Sequence, residues 1–124
     1  MFSLNKSNNN YKYINKFREK SLAERKNTSD MIKFKYINRV PIIVDCTDKI
    51  TLDKNKYIVP NDLSIAQFIF IIKKRLKINP SDAIFITCNN KLINSNTTIE
   101  YVYNKEMSDD GFLYFIISLE NVFG

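Results

Sequence analysis

Histidine is absent from this chain. Catalysis by Ser-His-Asp or Cys-His groups is therefore excluded, as is any zinc site built on an imidazole. The two cysteines, Cys46 and Cys88, lie far apart and in no metal-ligand spacing. Two thiols make no disulfide framework, so a reducing compartment and a role as small core residues are expected. Gly111 and Gly124 are the only glycines, which leaves no glycine-rich phosphate loop. Asp109 and Asp110 are a carboxylate pair of the kind used in acid–base or metal chemistry. Their place beside a strand start makes a solvated turn the simpler expectation. Tyr11, Tyr13, Phe17 and Tyr36 stand among basic residues, as in proteins that stack on single-stranded nucleic acid. No nucleic-acid motif accompanies them, and no nucleic-acid partner is expected. One reactive group remains, the carboxylate of the final Gly124. A glycine offers least obstruction to a thiol or amine attacking an activated acyl group. No enzyme constellation, metal or cofactor is expected.

The elements that would position these groups follow from pattern. A length of 124 residues fits one domain. No apolar run approaches the eighteen residues of a membrane span, and the N-terminus lacks the apolar stretch and cleavage site of a secretory signal. Residues 1–39 carry ten basic and three acidic side chains, whereas the rest carries nine and ten. A basic N-terminal third thus joins a near-neutral body, which suits docking to an acidic surface of phospholipid, protein or nucleic acid, or equally a solvated helix face. The first ten to twelve residues are polar and expected to fray. Ser21-x-x-Glu24 is a capping box. It opens an amphipathic helix over about 21–35, on which Leu22, Ser29, Ile32 and Tyr36 recur at helical spacing. A shorter helix is expected near 12–18.

The segment VPIIVDC (Val40 to Cys46) reads as a strand, TDKITLDKN as a turn, and KYIVP (Lys56 to Pro60) as a short second strand. Ser64-x-x-Gln67 caps a helix from Ile65 to about Lys77. Ala83 to Cys88 is a third strand, Thr97-x-x-Glu100 caps a short helix through about Lys105, and Phe112 to Ser118 is the last strand. The expected fold class is α+β, in the outline of a ubiquitin-like β-grasp. Five consecutive apolar residues, Phe68 to Ile72, exceed the single stripe that a helix buries on one sheet. The N-terminal helices cover the surplus, or it forms a binding groove. KYIVP, flanked by Lys54 and Lys56, suits a sheet edge that accepts an acidic peptide strand, or one that its lysines merely protect.

NRVPIIVD (Asn38 to Asp45), DKNKYIVPNDLSIAQFIFIIKKR (Asp53 to Arg75), DDGFLY (Asp109 to Tyr114) and the final FG together resemble the autophagy-related protein 8 family. The resemblance runs in order from about Leu22 to Gly124. It implies a ubiquitin-like core over 37–124, carrying two additional helices on a flexible, basic segment over 1–36. It implies conjugation of Gly124 to phosphatidylethanolamine through activating and conjugating enzymes, with release by a deconjugating cysteine protease. The product is a membrane-bound adaptor for receptors with acidic aromatic-x-x-aliphatic motifs. Such a protein is cytoplasmic, becomes membrane-attached after conjugation, and is expected to be a monomer. By position, the peptide's aromatic residue enters a pocket of Ile32, Pro41, Ile43, Lys56, Ile58 and Phe112. Its aliphatic residue enters a second pocket of Tyr57, Val59, Pro60, Leu63, Phe68, Ile71 and Ile72. Arg39, Lys54, Lys56 and Arg75 face acidic groups. On this basis Phe68→Ala or Tyr57→Ala weakens the peptide without unfolding the domain. The alternative is a ubiquitin-like interaction module, or a protein-linked modifier, never attached to lipid. The sequence departs from the family pattern at Thr28, in the short TDKIT turn and in KLINSNTT.

Overall fold

A computed structural model describes residues 11–47 and 50–120. Residues 1–10, where the sequence predicts fraying, part of the TDKIT turn and Gly124 lie outside the described residues. Along the chain run α1 (Lys12–Phe17), α2 (Leu22–Lys35), β1 (Arg39–Cys46), β2 (Lys56–Pro60), α3 (Ile65–Lys73), β3 (Ile84–Cys88), β4 (Lys91–Leu92), α4 (Ile99–Glu106) and β5 (Leu113–Leu119). They build a five-stranded sheet in the order β2-β1-β5-β3-β4. The central pair β1 and β5 is parallel, with Ile42 opposite Leu113, and the other pairings are antiparallel. Helices cover β1 from both sides, so every residue from Val40 to Cys46 is buried. That is why VPIIV is an unbroken apolar run and not an alternating one.

Alternation still sorts the side chains. Val40, Ile42, Val44, Leu113, Phe115 and Ile117 join the inner core with Ile65, Phe68 and Ile72 of α3 and Ile99 and Val102 of α4. Ile43, Phe112 and Tyr114 face the other way, onto Ile14 and Phe17 of α1. Phe68 sits between Tyr57 and Phe115, edge-on to each at 5.7 and 5.6 Å. Cys46 and Cys88 are both buried and free, as expected of small core residues. Burial pushes their thiols up to about 11 and about 12.

The capping boxes at Ser21 and Ser64 form as expected. Several other expectations change. α3 stops at Lys73, because Leu76 leaves the helix to bridge Leu52 and bury its side chain. The cap of α4 is Thr98, whose Oγ1 accepts from the Tyr101 amide at 3.1 Å, while the Thr97 hydroxyl donates to the Asn94 carbonyl. KLINSNTT is not all loop: Asn89 and Asn90, with φ of 52° and 65°, turn the chain so that β4 pairs with β3. Two successive residues in the left-handed region make the tight hairpin turn that asparagine tolerates.

α2 is not the apolar-faced helix expected. Leu22 and Tyr36 are exposed, and Ser29 is its one fully buried residue. α1 and α2 lie across the sheet from α3, so they do not cover the surplus of α3. Phe70 and Ile71 stay 63% and 39% exposed.

Asp110 overturns the expectation of a solvated turn, since it is fully buried. Its Oδ2 accepts from Arg25 Nη1 at 2.7 Å and from the Tyr114 hydroxyl, and its Oδ1 accepts from the Phe112 amide at 2.9 Å. Its carbonyl accepts from Ser29 Oγ at 2.5 Å. A buried carboxylate demands such partners, and α2 supplies Arg25 to it and Ser29 to the neighbouring carbonyl. Burial, reinforced by the Asp110 contact, pushes the Tyr114 hydroxyl up to about 12.

Candidate functional site

The sheet ends at β2. Among the described residues this strand pairs only with β1, so its second edge is open. Pairing places Pro41 opposite Ile58, Ile43 opposite Lys56, and Arg39 opposite Pro60. Period-two alternation then divides the expected site residues between the two faces of the sheet.

On the outer face stand Pro41, Ile43, Lys56, Ile58 and Phe112, with Ile32 reaching in from α2. Ile43 and Phe112 are fully buried and Pro41 is buried; Ile32, Lys56 and Ile58 are half-buried. The first three are thus buried beneath this face and the other three are its accessible side chains. Phe17 of α1, absent from the expected set, adjoins it. Its ring meets Phe112 edge-on at 5.1 Å, and Lys56 Nζ lies 5.7 Å from its centre.

On the inner face stand Tyr57 and Val59, with Phe68 and Ile72 of α3 behind them. All four are buried, and Phe68 and Ile72 fully so. Leu63 and Ile71 are accessible at the rim, whereas Pro60, also accessible, ends the strand on the side of Lys56 and Ile58. Phe68→Ala is therefore a core deletion that cannot spare the fold, and Ile71 and Ile58 are the cleaner probes. The Tyr57 hydroxyl is buried and has no hydrogen-bond partner among the described residues. Burial pushes it up to about 12.

The basic residues do not converge on one point. Arg39 Nη1 donates to the Ile58 carbonyl at 3.2 Å, and Lys54 Nζ sits 5.1 Å from the Tyr57 ring. Arg75 pairs with Asp53 at 3.2 Å. They line the length of the edge, which suits an extended partner better than a compact anion. Among the described residues no group of His, Cys, Asp or Glu has the geometry of a metal site. No described helix is long and apolar enough to cross a membrane.

Sequence reasoning missed Phe17, Arg25, Ser29 and Asp110. The Asp-Gly step of the turn was visible, and an aspartate that bonds the amide two residues on is a common turn device. Nothing local marked Arg25, 85 positions away, as its partner.

A helix crossing one face of a mixed sheet, with β1 parallel to β5 at its centre, defines a ubiquitin-like α+β protein. The crystal structure of Trypanosoma brucei ATG8 shares this fold, at a TM-score of 0.80 and 29% identity over 88% of this chain and 97% of that one. The family model described as "Autophagy protein Atg8 ubiquitin like" matches residues 24–124. Autophagy-related protein 8 of Schizosaccharomyces pombe is 42% identical over 84% of this chain and 88% of its own length. Autophagy-related protein 8A of Oryza sativa subsp. indica is 39% identical over 86% and 92%. The chain belongs to the Atg8 family of ubiquitin-like autophagy proteins. That family is a class of non-enzymatic modifiers.

Proposed function

We propose that this chain is conjugated through Gly124 to phosphatidylethanolamine. From that membrane position it recruits proteins bearing acidic aromatic-x-x-aliphatic motifs. The terminal carboxylate attacks ATP, releasing pyrophosphate and leaving an acyl-adenylate. An enzyme thiol displaces AMP, a second thiol takes the acyl group, and the lipid amine displaces that thiol to form an amide. The thiols and the ATP site belong to the activating and conjugating enzymes. A cysteine protease reverses the step by hydrolysing the amide. The chain itself is the substrate and then the adaptor.

The observation that carries the recruitment reading is the division of the site by the β2 edge. In an extended peptide, residues three apart point to opposite faces. A strand added to β2 would send its aromatic side chain to Ile32, Lys56 and Ile58, and its aliphatic one to Leu63 and Ile71. Main-chain bonds to the open edge supply affinity, and the two rims supply spacing specificity. Arg39, Lys54, Lys56 and Arg75 then flank the peptide and favour acidic residues.

Two measurements test the two halves. For conjugation, the chain is incubated with ATP, both enzymes and phosphatidylethanolamine vesicles, and mass spectrometry seeks the lipid adduct. The adduct should form on the wild type and not on Gly124→Ala; its absence with proven enzymes rejects conjugation. For recruitment, calorimetry compares the motif peptide with one lacking a residue between its anchors. The shortened peptide places both anchors on one face and should bind at least about tenfold more weakly, the equivalent of losing one buried side chain. Equal binding rejects the two-faced groove.

A further inference from the structure

α2 turns Arg25, Ser29 and Ile32 toward the body, one or two helical turns apart. Its opposite side is unusual. Met31 is 62% exposed, Phe34 86%, and Ile37, just past the helix, 75%. Tyr36 adds a 40% exposed ring beneath the Lys35 ammonium, 5.4 Å from its centre. These four side chains form one ridge along the outer side of α2 and just past its end. An ordinary surface helix would place polar residues here. Large exposed apolar groups that cluster mark a surface awaiting a partner.

The charge around the ridge says which partner. Lys26 and Lys35 are exposed around it, and the carboxylate in its midst, Asp30, pairs with Lys26 at 3.5 Å. The ridge sits on the basic third of the chain, ten cations against three anions over residues 1–39. Apolar side chains projecting from a helix, ringed by lysine and arginine, suit the interface of a bilayer with anionic headgroups. A bilayer with anionic headgroups meets the apolar groups and the cations at once.

We infer that the outer side of α2 docks on an anionic bilayer, with Met31, Phe34 and Ile37 entering the interface while Lys26 and Lys35 meet the headgroups. This contact needs no covalent lipid. On a conjugated chain it would lay α2 against the membrane and fix which way the β2 edge faces, because a tethered second contact forms at high effective concentration.

The unconjugated full chain tests it, so that failure here leaves the Gly124 reading standing. Sedimentation with phosphatidylcholine vesicles, with and without phosphatidylserine, measures partition at low and high salt. The wild type should bind only the anionic vesicles and release with salt. Phe34→Ser, which changes no charge, should lower the partition about tenfold. Its thermal melt and motif-peptide affinity should not change. The chain has no tryptophan, so Phe34→Trp supplies a single probe whose emission should shift to the blue on anionic vesicles. Three results would overturn the inference. One is no binding to anionic vesicles at low salt. Another is equal partition of the wild type and Phe34→Ser, which would make the attraction purely electrostatic. The last is a blue shift with dimerisation in the absence of vesicles, which would assign the ridge to a second copy.

Discussion

The inner and outer faces of the sheet are held by different physics. Inside, twenty buried residues of the described chain form one cluster under α3 and α4. Outside, the buried apolar cluster has five members, and a charged clamp joins α2 to the turn before β5. Apolar packing is non-directional and tolerates change roughly in proportion to area. A buried carboxylate shared by three donors on three elements tolerates almost none, because losing one partner strands the others. The inner face thus provides stability, and the outer face provides the position of α2 and of Ile32, which packs on its cluster.

Substitutions can break this contrast, beginning with the largest effect. Phe115→Ala empties the centre of the inner face and should cost about 3–5 kcal/mol, read as a lower urea midpoint at unchanged slope. Asp110→Ala leaves Arg25, the Tyr114 hydroxyl and the Phe112 amide unpaired and should cost about 3 kcal/mol. Adding Arg25→Met should recover part of that loss. A double-mutant cycle in which the two losses simply add would refute the clamp.

Gly111 comes next. Its φ is +85°, and a Cβ there would collide with Ser29 Oγ. Gly111→Ala should cost about 1–3 kcal/mol, and Ser29→Ala in the same chain should return some of it. If the second change returns nothing, backbone strain alone is responsible. Thr98→Ala removes the cap of α4 and should cost about 1 kcal/mol, against a smaller loss for Thr97→Ala, in thermal melts. Equal losses would mean that the cap is shared.

The last difference vanishes at neutral pH. Cys46, Cys88, Tyr57 and Tyr114 have pKa values of about 11, 12, 12 and 12 in the fold, against 9.0 for a free thiol and 10.0 for a free phenol. The unfolded chain loses these protons first, so stability falls as pH rises above about 9. Urea melts from pH 7 to 11 should show it. Replacing both cysteines by serine should remove the part that begins near 9 and leave the tyrosine part beginning near 10. An unchanged onset would place the loss elsewhere.

Much of this architecture was legible from local pattern. Ser21-x-x-Glu24 and Ser64-x-x-Gln67 announce helix starts because a hydroxyl and a side-chain oxygen answer free amides within four residues. KYIVP announces an edge because proline ends pairing and lysines flank it. Alternation along KYIVP even assigns Tyr57 and Val59 to one face and Lys56 and Ile58 to the other. The cap at Thr98 was missed by one residue, since Thr97 and Thr98 are chemically equivalent until tertiary packing chooses between them. β4 was missed because two residues carry almost no periodicity.

What local pattern could not reach was distance along the chain. α2 looked amphipathic through Leu22 and Tyr36, yet it docks through Arg25 and Ser29 onto residues more than eighty positions away. Asp110 looked like a solvated turn until α2 closed over it. Neither side of such a contact carries a signal by itself, because the free energy resides in the pair and appears only when the chain brings both ends together. Composition, caps and alternation determined the elements and the two-sided edge. Only tertiary closure decided which face α1 and α2 would cover, which carboxylate would be buried, and that Phe34 would be left in solvent.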